Sequence, residues 1–212
     1  MTIDLDAALA VQAFVTLLVI MDPLGNVPVF LGLTSGEERA SRRRTARHAT
    51  AAAALLVYLF AFFGTQILAA LSISLPALQA GGGIVLFLTA LQMLTGDVHM
   101  PNRAENVNVA IVPLGVPLMA GPGAISAAMV FMSDRGGGAL TLGSQLSVAL
   151  AIAAALAVCW VALHWAGVLE RLLKANGIHL VTRVMGLLLV AISVELVASA
   201  VQAYVAGVSA LP

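Results

Sequence analysis

Long apolar stretches separated by short polar links dominate the chain. Six of them reach the roughly 20 residues that a helix needs to cross a hydrocarbon core of about 30 Å. They cover residues 7–33, 49–71, 75–95, 107–133, 142–169 and 184–207. No stretch alternates with a period of two over about ten residues, as the strand of a membrane barrel does. The pattern predicts an all-α, polytopic membrane protein with six transmembrane helices, in one integral membrane domain over 1–212.

The composition supports a lipid bilayer as the surroundings and excludes several other classes. Charged residues make up 9% of the chain, against about 25% in soluble domains. The net charge of zero argues against a nucleic-acid partner. The sequence contains no phosphate-binding loop, no H-E-x-x-H metal pair and no G-x-S-x-G elbow. We therefore expect no enzymatic activity, no cofactor and no metal site.

The basic residues predict the orientation in the membrane. Nine of the ten lie in the first, third and fifth links, and the tenth, Arg135, lies on the other side. Lys and Arg concentrate on the cytoplasmic side. We expect an inner-membrane protein with both termini outside the cytoplasm and an arginine-rich cytoplasmic loop over 34–48, which acts as a topology anchor rather than a ligand site.

Two of the six stretches are interrupted near their midpoints. Residues 22–28 place an aspartate, two prolines and a glycine inside the first, and residues 113–123 place three prolines and three glycines inside the fourth. An interior proline costs a helix about 3 kcal/mol and a mid-bilayer aspartate roughly 2.5–3.5 kcal/mol. Unwinding the backbone where it lines a protein cavity avoids most of this cost. Helices one and four are therefore predicted to be broken, although proline-kinked packing helices without a ligand remain the alternative.

Broken helices leave backbone groups free to bind a solute. A half-helix that begins near Asn26 or Gly123 directs N–H groups at a carboxylate. One that ends near Ile20 or Ala120 directs carbonyl oxygens at an ammonium group or a cation. Because glycine lets the backbone approach closely, we expect a compact zwitterion. The predicted substrate-binding residues are Asp22, Pro23, Gly25, Asn26, Ala120, Gly121, Gly123, Ala124 and Ser126.

Two carboxylates inside the apolar stretches are candidates for proton or cation coupling. Desolvation favours the neutral form of Asp22, whereas a bound amine favours the charged form. Glu195 lies near the centre of the last stretch. Its alternative role is a structural pair with Gln92, since Arg183 lies about 18 Å away along a helix.

The two halves of the chain show a modest internal similarity. At an offset of 103, Gly83 corresponds to Gly186 and Gln92 to Glu195, and at an offset of 98 Gly25 corresponds to Gly123. Three spans per half would insert the halves in opposite directions, as in many secondary transporters. We therefore expect a 3+3 inverted repeat, with repeat one over about 1–97 and repeat two over about 105–212.

The sequence resembles the MarC family of bacterial and archaeal inner-membrane proteins, which includes the SnatA neutral amino acid transporters. Residues 22–30, 113–125 and 183–186 carry the resemblance. It implies a six-span inverted-repeat fold allied to the LysE-type exporters, with outward termini. It further implies transport of glycine, threonine and similar amino acids with a proton gradient, the substrate being held between residues 22–28 and 120–125.

The function expected is secondary transport of small neutral amino acids such as glycine, alanine, serine and threonine, with proton coupling. An exporter of another small metabolite would use the same breaks, and a non-transporting scaffold would use them for packing alone. A homo-oligomer is compatible with each of these. The preferred amino acid and the direction of transport do not follow from the sequence.

Overall fold

The computed structural model describes residues 6–34, 36–95, 119–133 and 141–209, which are helical apart from short turns. Seven helices lie in these ranges: α1 (Ala7–Met21), α2 (Asn26–Leu33), α3 (Arg39–Ala70), α4 (Leu75–Thr95), α5 (Pro122–Met132), α6 (Leu142–His164) and α7 (Ala166–Ser209). No strand occurs in the described ranges. The all-α expectation is thereby confirmed for them.

Four helices are long and apolar enough to cross a membrane by themselves. They are α3, α4, α6 and residues 180–206 of α7. Helices α1 and α5 are apolar but shorter. Because α1 and α2 follow each other with a gap of four residues, they correspond to the two parts of the first predicted span.

The break in the first span is confirmed. Helix α1 ends at Met21, and α2 begins at Asn26. In the fourth span, α5 begins at Pro122 after Gly121, as the second break requires. The prolines and the glycine predicted to interrupt that span at 113–117 lie outside the described residues.

The prediction of a loop over 34–48 is wrong from Arg39 onward, because α3 already begins there. The segment is rich in Arg and Ala, which are strong helix formers. Arg39, Arg43, Arg44 and Arg47 are exposed along the helix and Arg42 is half-buried, while the backbone hydrogen bonds are satisfied. The fifth span likewise ends at His164 instead of residue 169, and α7 starts one residue after Trp165. The polar link before the sixth span is therefore helical as well.

Small side chains build the centre of the bundle. Alanines of α1, α3, α5 and α6 are buried there, including Ala13, Ala53, Ala128 and Ala155. Small residues let helix backbones approach closely where lipid offers no hydrophobic drive for association. Large apolar side chains such as Leu55, Leu150 and Leu187 lie exposed on the outer surface instead, as expected of a lipid-facing surface.

Helices α4 and α7 pack in a reciprocal register. A side chain at Gly83 would meet Ser193, Leu196 and Val197 of α7. A side chain at Gly186 would meet Ala90, Met93 and Leu94 of α4. The residue numbers of the two sets differ by 103: Ala90 corresponds to Ser193, Met93 to Leu196 and Leu94 to Val197. The two helices therefore run antiparallel and contact each other through equivalent positions.

Candidate substrate-binding site

A cavity of about 200 Å3 lies where the two helix breaks meet. The end of α1, the starts of α2 and α5, and the facing sides of α4 and α7 enclose it. Most of its described lining is apolar or glycine. Its polar side chains are Asp22, Asn26, Thr89, Gln92 and Thr182. Among the described lining residues, Asp22 alone has an ionisable side chain.

Asp22 forms the turn between α1 and α2. Its backbone is left-handed, with φ 42° and ψ 68°, a conformation that aspartate tolerates better than most residues. The Asp22 N–H donates to Leu18 O at 3.1 Å and closes the last turn of α1. Its Oδ1 accepts the Gly25 N–H at 3.0 Å. Although the residue is 5% exposed, it lines the cavity and places a carboxylate there.

The first turn of α2 has no free donors, contrary to the expectation for Asn26. The Asn26 N–H donates to Asp22 O at 3.1 Å, and the Val27 N–H donates to Leu24 O at 3.2 Å. Pro28 has no N–H. The Asn26 side chain is turned back, since its Nδ2 donates to Met21 O at 2.7 Å. The first break therefore supplies a carboxylate but no unpaired helix N-terminus.

The second break differs from the first in that it leaves helix N–H groups without described partners. Gly121 precedes α5, with no side chain to cap it, and Pro122 occupies the first turn. The Ile125 N–H bonds to Gly121 O at 3.0 Å. The N–H groups of Gly123 and Ala124 have no bond to any residue that the structure describes. They point out of the start of a helix, where the macrodipole favours an anion.

Close packing brings α4 against both breaks. A side chain at Gly82 would lie 2.9 Å from the Pro122 carbonyl carbon and 3.0 Å from Gly123 N. On the other side, the end of Met93 lies against Gly25. The space next to Gly123 is bounded by Ile20, at 3.4 Å from where a side chain would begin. The end of α1 and the start of α5 are therefore neighbours across the cavity.

The structure brings together most of the predicted site. Asp22, Gly25, Asn26, Gly121, Gly123 and Ala124 line the cavity. Pro23 and Ala120 belong to the breaks but do not line it, and Ala120 is buried. Ser126 is also buried, and its hydroxyl donates to Pro122 O at 2.7 Å inside α5.

Glu195 lies outside the cavity. Its position on α7 is exposed, and it is absent from the described lining. The counterpart at the offset of 103, Gln92, does line the cavity. In this conformation, Gln92 faces the cavity and Glu195 does not.

Sequence reasoning missed the wall that α4 and α7 contribute. Val85, Thr89 and Gln92 are spaced four and three residues apart, which puts them on one helix face, and all three line the cavity. Thr182 and Leu189, also seven residues apart, do so from α7. The polar residues on one face of the otherwise apolar α4 are the sequence feature that could have predicted this wall.

Interrupted helices around an interior cavity, in a bundle with four long apolar helices, define a multi-pass membrane protein. The chain belongs to the MarC family: the model described as MarC family integral membrane protein matches residues 7–205. It is 31% identical to UPF0056 membrane protein YhcE of Escherichia coli strain K12, over 92% of each chain. It is 34% identical to a UPF0056 membrane protein of Methanocaldococcus jannaschii, over 93% of this chain and 98% of that protein. No solved structure matches the chain at a significant level.

Proposed function

We propose that the protein is a secondary transporter of small neutral amino acids, of the glycine, alanine, serine and threonine class, and that it binds them in the cavity between the two breaks. One observation carries the proposal. The Asp22 carboxylate lines the same cavity as Gly123 and Ala124 at the start of α5, whose N–H groups have no partner among the described residues. An ammonium group would bind at the carboxylate, and the substrate carboxylate at Gly123 and Ala124.

The size and charge of the cavity favour this substrate class. Its volume of about 200 Å3 is below the roughly 300–1,000 Å3 of sites for drug-sized ligands. A substrate with an acidic or basic side chain would need a second charged partner, and the described lining has none besides Asp22. A zwitterion with a short side chain satisfies both groups and leaves no charge unpaired.

The reciprocal packing of α4 and α7 supports a six-span inverted repeat. Residues that are 103 positions apart make equivalent contacts in the two helices, in addition to being similar in type. The two breaks contact corresponding residues: Gly25 lies against Met93, and Gly123, its counterpart at the offset of 98, faces Leu196, the counterpart of Met93 at the offset of 103. Inverted repeats allow alternating access, because each half adopts the conformation of the other. We place the protein in the cell inner membrane with both termini outside, as the basic residues predict.

We further propose proton coupling through Asp22, with Glu195 as the second candidate. The Asp22 carboxylate lies where an ammonium group would bind, so a proton and the substrate compete for it. When the repeats exchange conformations, Glu195 would take the place that Gln92 has in this cavity. An exposed carboxylate on a membrane-spanning helix is costly, and periodic access to a water-filled cavity reduces that cost.

A thermal-unfolding screen of the purified protein against single amino acids tests the substrate class. Ligand at 100 times its dissociation constant should stabilise the protein by about 2.7 kcal/mol. We expect stabilisation by glycine, alanine, serine or threonine and none by glutamate or lysine. Proteoliposomes should then exchange the same labelled amino acids.

The outcomes separate the alternatives. Stabilisation by a different small metabolite, with no response to amino acids, would favour the exporter of another substrate. No response to any small solute, together with no exchange, would favour a scaffold and contradict the proposal. Exchange that persists without a pH gradient and is insensitive to an imposed one would remove the proton coupling while keeping the substrate.

A further inference from the structure

A second cavity, of about 160 Å3, lies at one end of the bundle, where α3 begins and α6 meets α7. Four arginines line it: Arg39, Arg42 and Arg43 from α3, and Arg171 from α7. His164, the last residue of α6, completes the basic lining. Segments that are far apart in the chain thus bring five basic side chains to one cavity.

The positive charge of this cavity has no counter-ion in the described structure. No Asp or Glu side chain is among its described lining residues. Glu37 is engaged elsewhere, since its Oε2 accepts from Ser41 Oγ at 2.9 Å and from Thr45 Oγ1 at 3.3 Å. Like charges at about 4 Å repel by roughly 1 kcal/mol in water and about 4 kcal/mol near a protein surface. An anion in the cavity would offset that repulsion.

Two buried side-chain nitrogens in the cavity lack hydrogen-bond partners in the described structure. Arg42 Nε and His164 Nδ1 are both buried, and neither has a hydrogen bond to a described residue. The Arg42 guanidinium is nonetheless fixed in place. Its Nη2 reaches Thr34 O at 3.4 Å, and its Nη1 lies 3.6 Å from where a side chain at Gly167 would begin. Leaving a buried polar group unsatisfied costs about 1–3 kcal/mol, so the buried Arg42 Nε–H, which can only donate, indicates a missing acceptor.

We infer that this cavity binds a phosphate group. Arginine presents paired N–H donors that match phosphate oxygens, and three lining arginines on one helix can surround them. A volume of about 160 Å3 accommodates a phosphate with the adjoining atoms of a headgroup. It is smaller than the roughly 300 Å3 at which sites for larger organic ligands begin.

The surroundings of the cavity favour a membrane lipid as the source of that phosphate. The His164 ring contacts the rings of two tryptophans, at centroid distances of 4.9 Å from Trp160 and 6.0 Å from Trp165. Tryptophan is enriched at membrane–water interfaces. Trp165, Val168 and Leu172 are exposed beside the arginines, so acyl chains would meet apolar side chains while the headgroup enters the cavity. Basic pockets between transmembrane helices bind anionic headgroups in this way.

Lipid binding to the purified full-length chain tests the inference, with phosphatidylglycerol, phosphatidylcholine and inorganic phosphate as separate probes. Native mass spectrometry and thermal unfolding should both report phosphatidylglycerol bound more tightly than phosphatidylcholine. Removing one arginine should weaken phosphatidylglycerol binding about fivefold, since each contributes about 1 kcal/mol near an anionic headgroup. The test variants are Arg42→Gln and Arg171→Gln. If Arg42→Gln fails to fold, the exposed Arg171 still gives a measurement.

Arg44→Gln and Arg47→Gln are matched controls. Both residues are exposed on α3 and neither lines the cavity, so each control removes the same charge outside it. Equal weakening in controls and test variants would overturn the inference, as would equal binding of the two lipids with no effect of inorganic phosphate. Stabilisation by inorganic phosphate that Arg171→Gln abolishes, without lipid selectivity, would support the phosphate site and identify its source as the free anion.

Discussion

The two helix breaks occupy equivalent places in the two halves of the chain, yet they are built differently. In the first, the Asp22 side chain and carbonyl accept N–H groups from Gly25 and Asn26. In the second, Gly121 offers no side chain, and the N–H groups of Gly123 and Ala124 have no described partner. The first break is therefore satisfied internally and carries a negative charge. The second has N–H groups without a partner among the described residues and carries the positive end of a helix.

This difference gives the cavity a polarity that two identical breaks would lack. Two copies of the first break would place two carboxylates in one small space, which would favour a cation. Two copies of the second would favour an anion. One of each favours a solute with both charges. In the proposed inverted repeat, the specificity for a zwitterion would therefore come from the positions at which the two halves differ.

The largest effect is expected from Asp22→Asn. Asparagine tolerates the left-handed backbone, and its Oδ1 still accepts the Gly25 N–H, so the turn should persist. The charge that attracts the ammonium group is lost, at a cost of about 1.5–3 kcal/mol, or roughly tenfold to a hundredfold in affinity. Amino acid binding measured by thermal shift or calorimetry checks this.

Asp6→Asn is the matched control for that change. Asp6 caps α1 from outside the cavity, accepting the Leu9 N–H at 2.9 Å, and asparagine caps helices equally well. Binding should stay within twofold of the wild-type value. Unchanged binding in Asp22→Asn with the fold intact would remove the carboxylate from the site and with it the proposed polarity.

The second prediction places one methyl group in each break. At Gly25 it would overlap the Asp22 carboxylate and the end of Met93. Gly25→Ala should therefore break the turn and lower the free energy of unfolding by about 1–3 kcal/mol. At Gly123 the nearest atoms are Ile20 Cγ2 at 3.4 Å and Leu86 Cδ2 at 3.6 Å, which are ordinary contacts. Gly123→Ala should change stability by less than about 0.5 kcal/mol.

Thermal unfolding of the two variants in the same detergent makes this measurement. A bulkier Gly123→Leu should keep most of the stability but lose amino acid binding, because its side chain would occupy the cavity. If Gly25→Ala and Gly123→Ala are equally stable, then the first break is not held by the Asp22–Gly25 bond.

The sequence predicts the helices better than it predicts the cavity walls. Proline, glycine and aspartate are unfavourable in a continuous apolar helix, so the break at residues 22–25 could be predicted from the sequence. The helical start of α3 at Arg39 was not, because a polar, arginine-rich segment suits both a loop and a helix that projects beyond the membrane. Ser126 shows a further limit. One turn from Gly123 it looks available to a ligand, but its hydroxyl returns to Pro122 O, a choice that depends on side-chain rotation.

The smallest predicted effect concerns the contact between α4 and α7, which is reciprocal in position but not in tightness. At Gly83 a methyl group would lie 2.7 Å from Val197 Cγ2 and 3.0 Å from Ser193 O, so α7 would have to move. At Gly186 the nearest distances are 3.1 and 3.2 Å, which small adjustments relieve. Alanine gains about 1 kcal/mol over glycine in a helix. We expect Gly83→Ala to lower the free energy of unfolding by about 1 kcal/mol net, since overpacking costs about 1–3 kcal/mol, and Gly186→Ala to be close to neutral.

Gly81→Ala is the control for helix propensity. With nothing within 4 Å of the new side chain, it isolates the helix-propensity gain and should stabilise the protein. If Gly186→Ala were more damaging than Gly83→Ala, the register of the proposed repeat would be wrong at this contact, and the difference between the two breaks could no longer be interpreted as a departure from that symmetry.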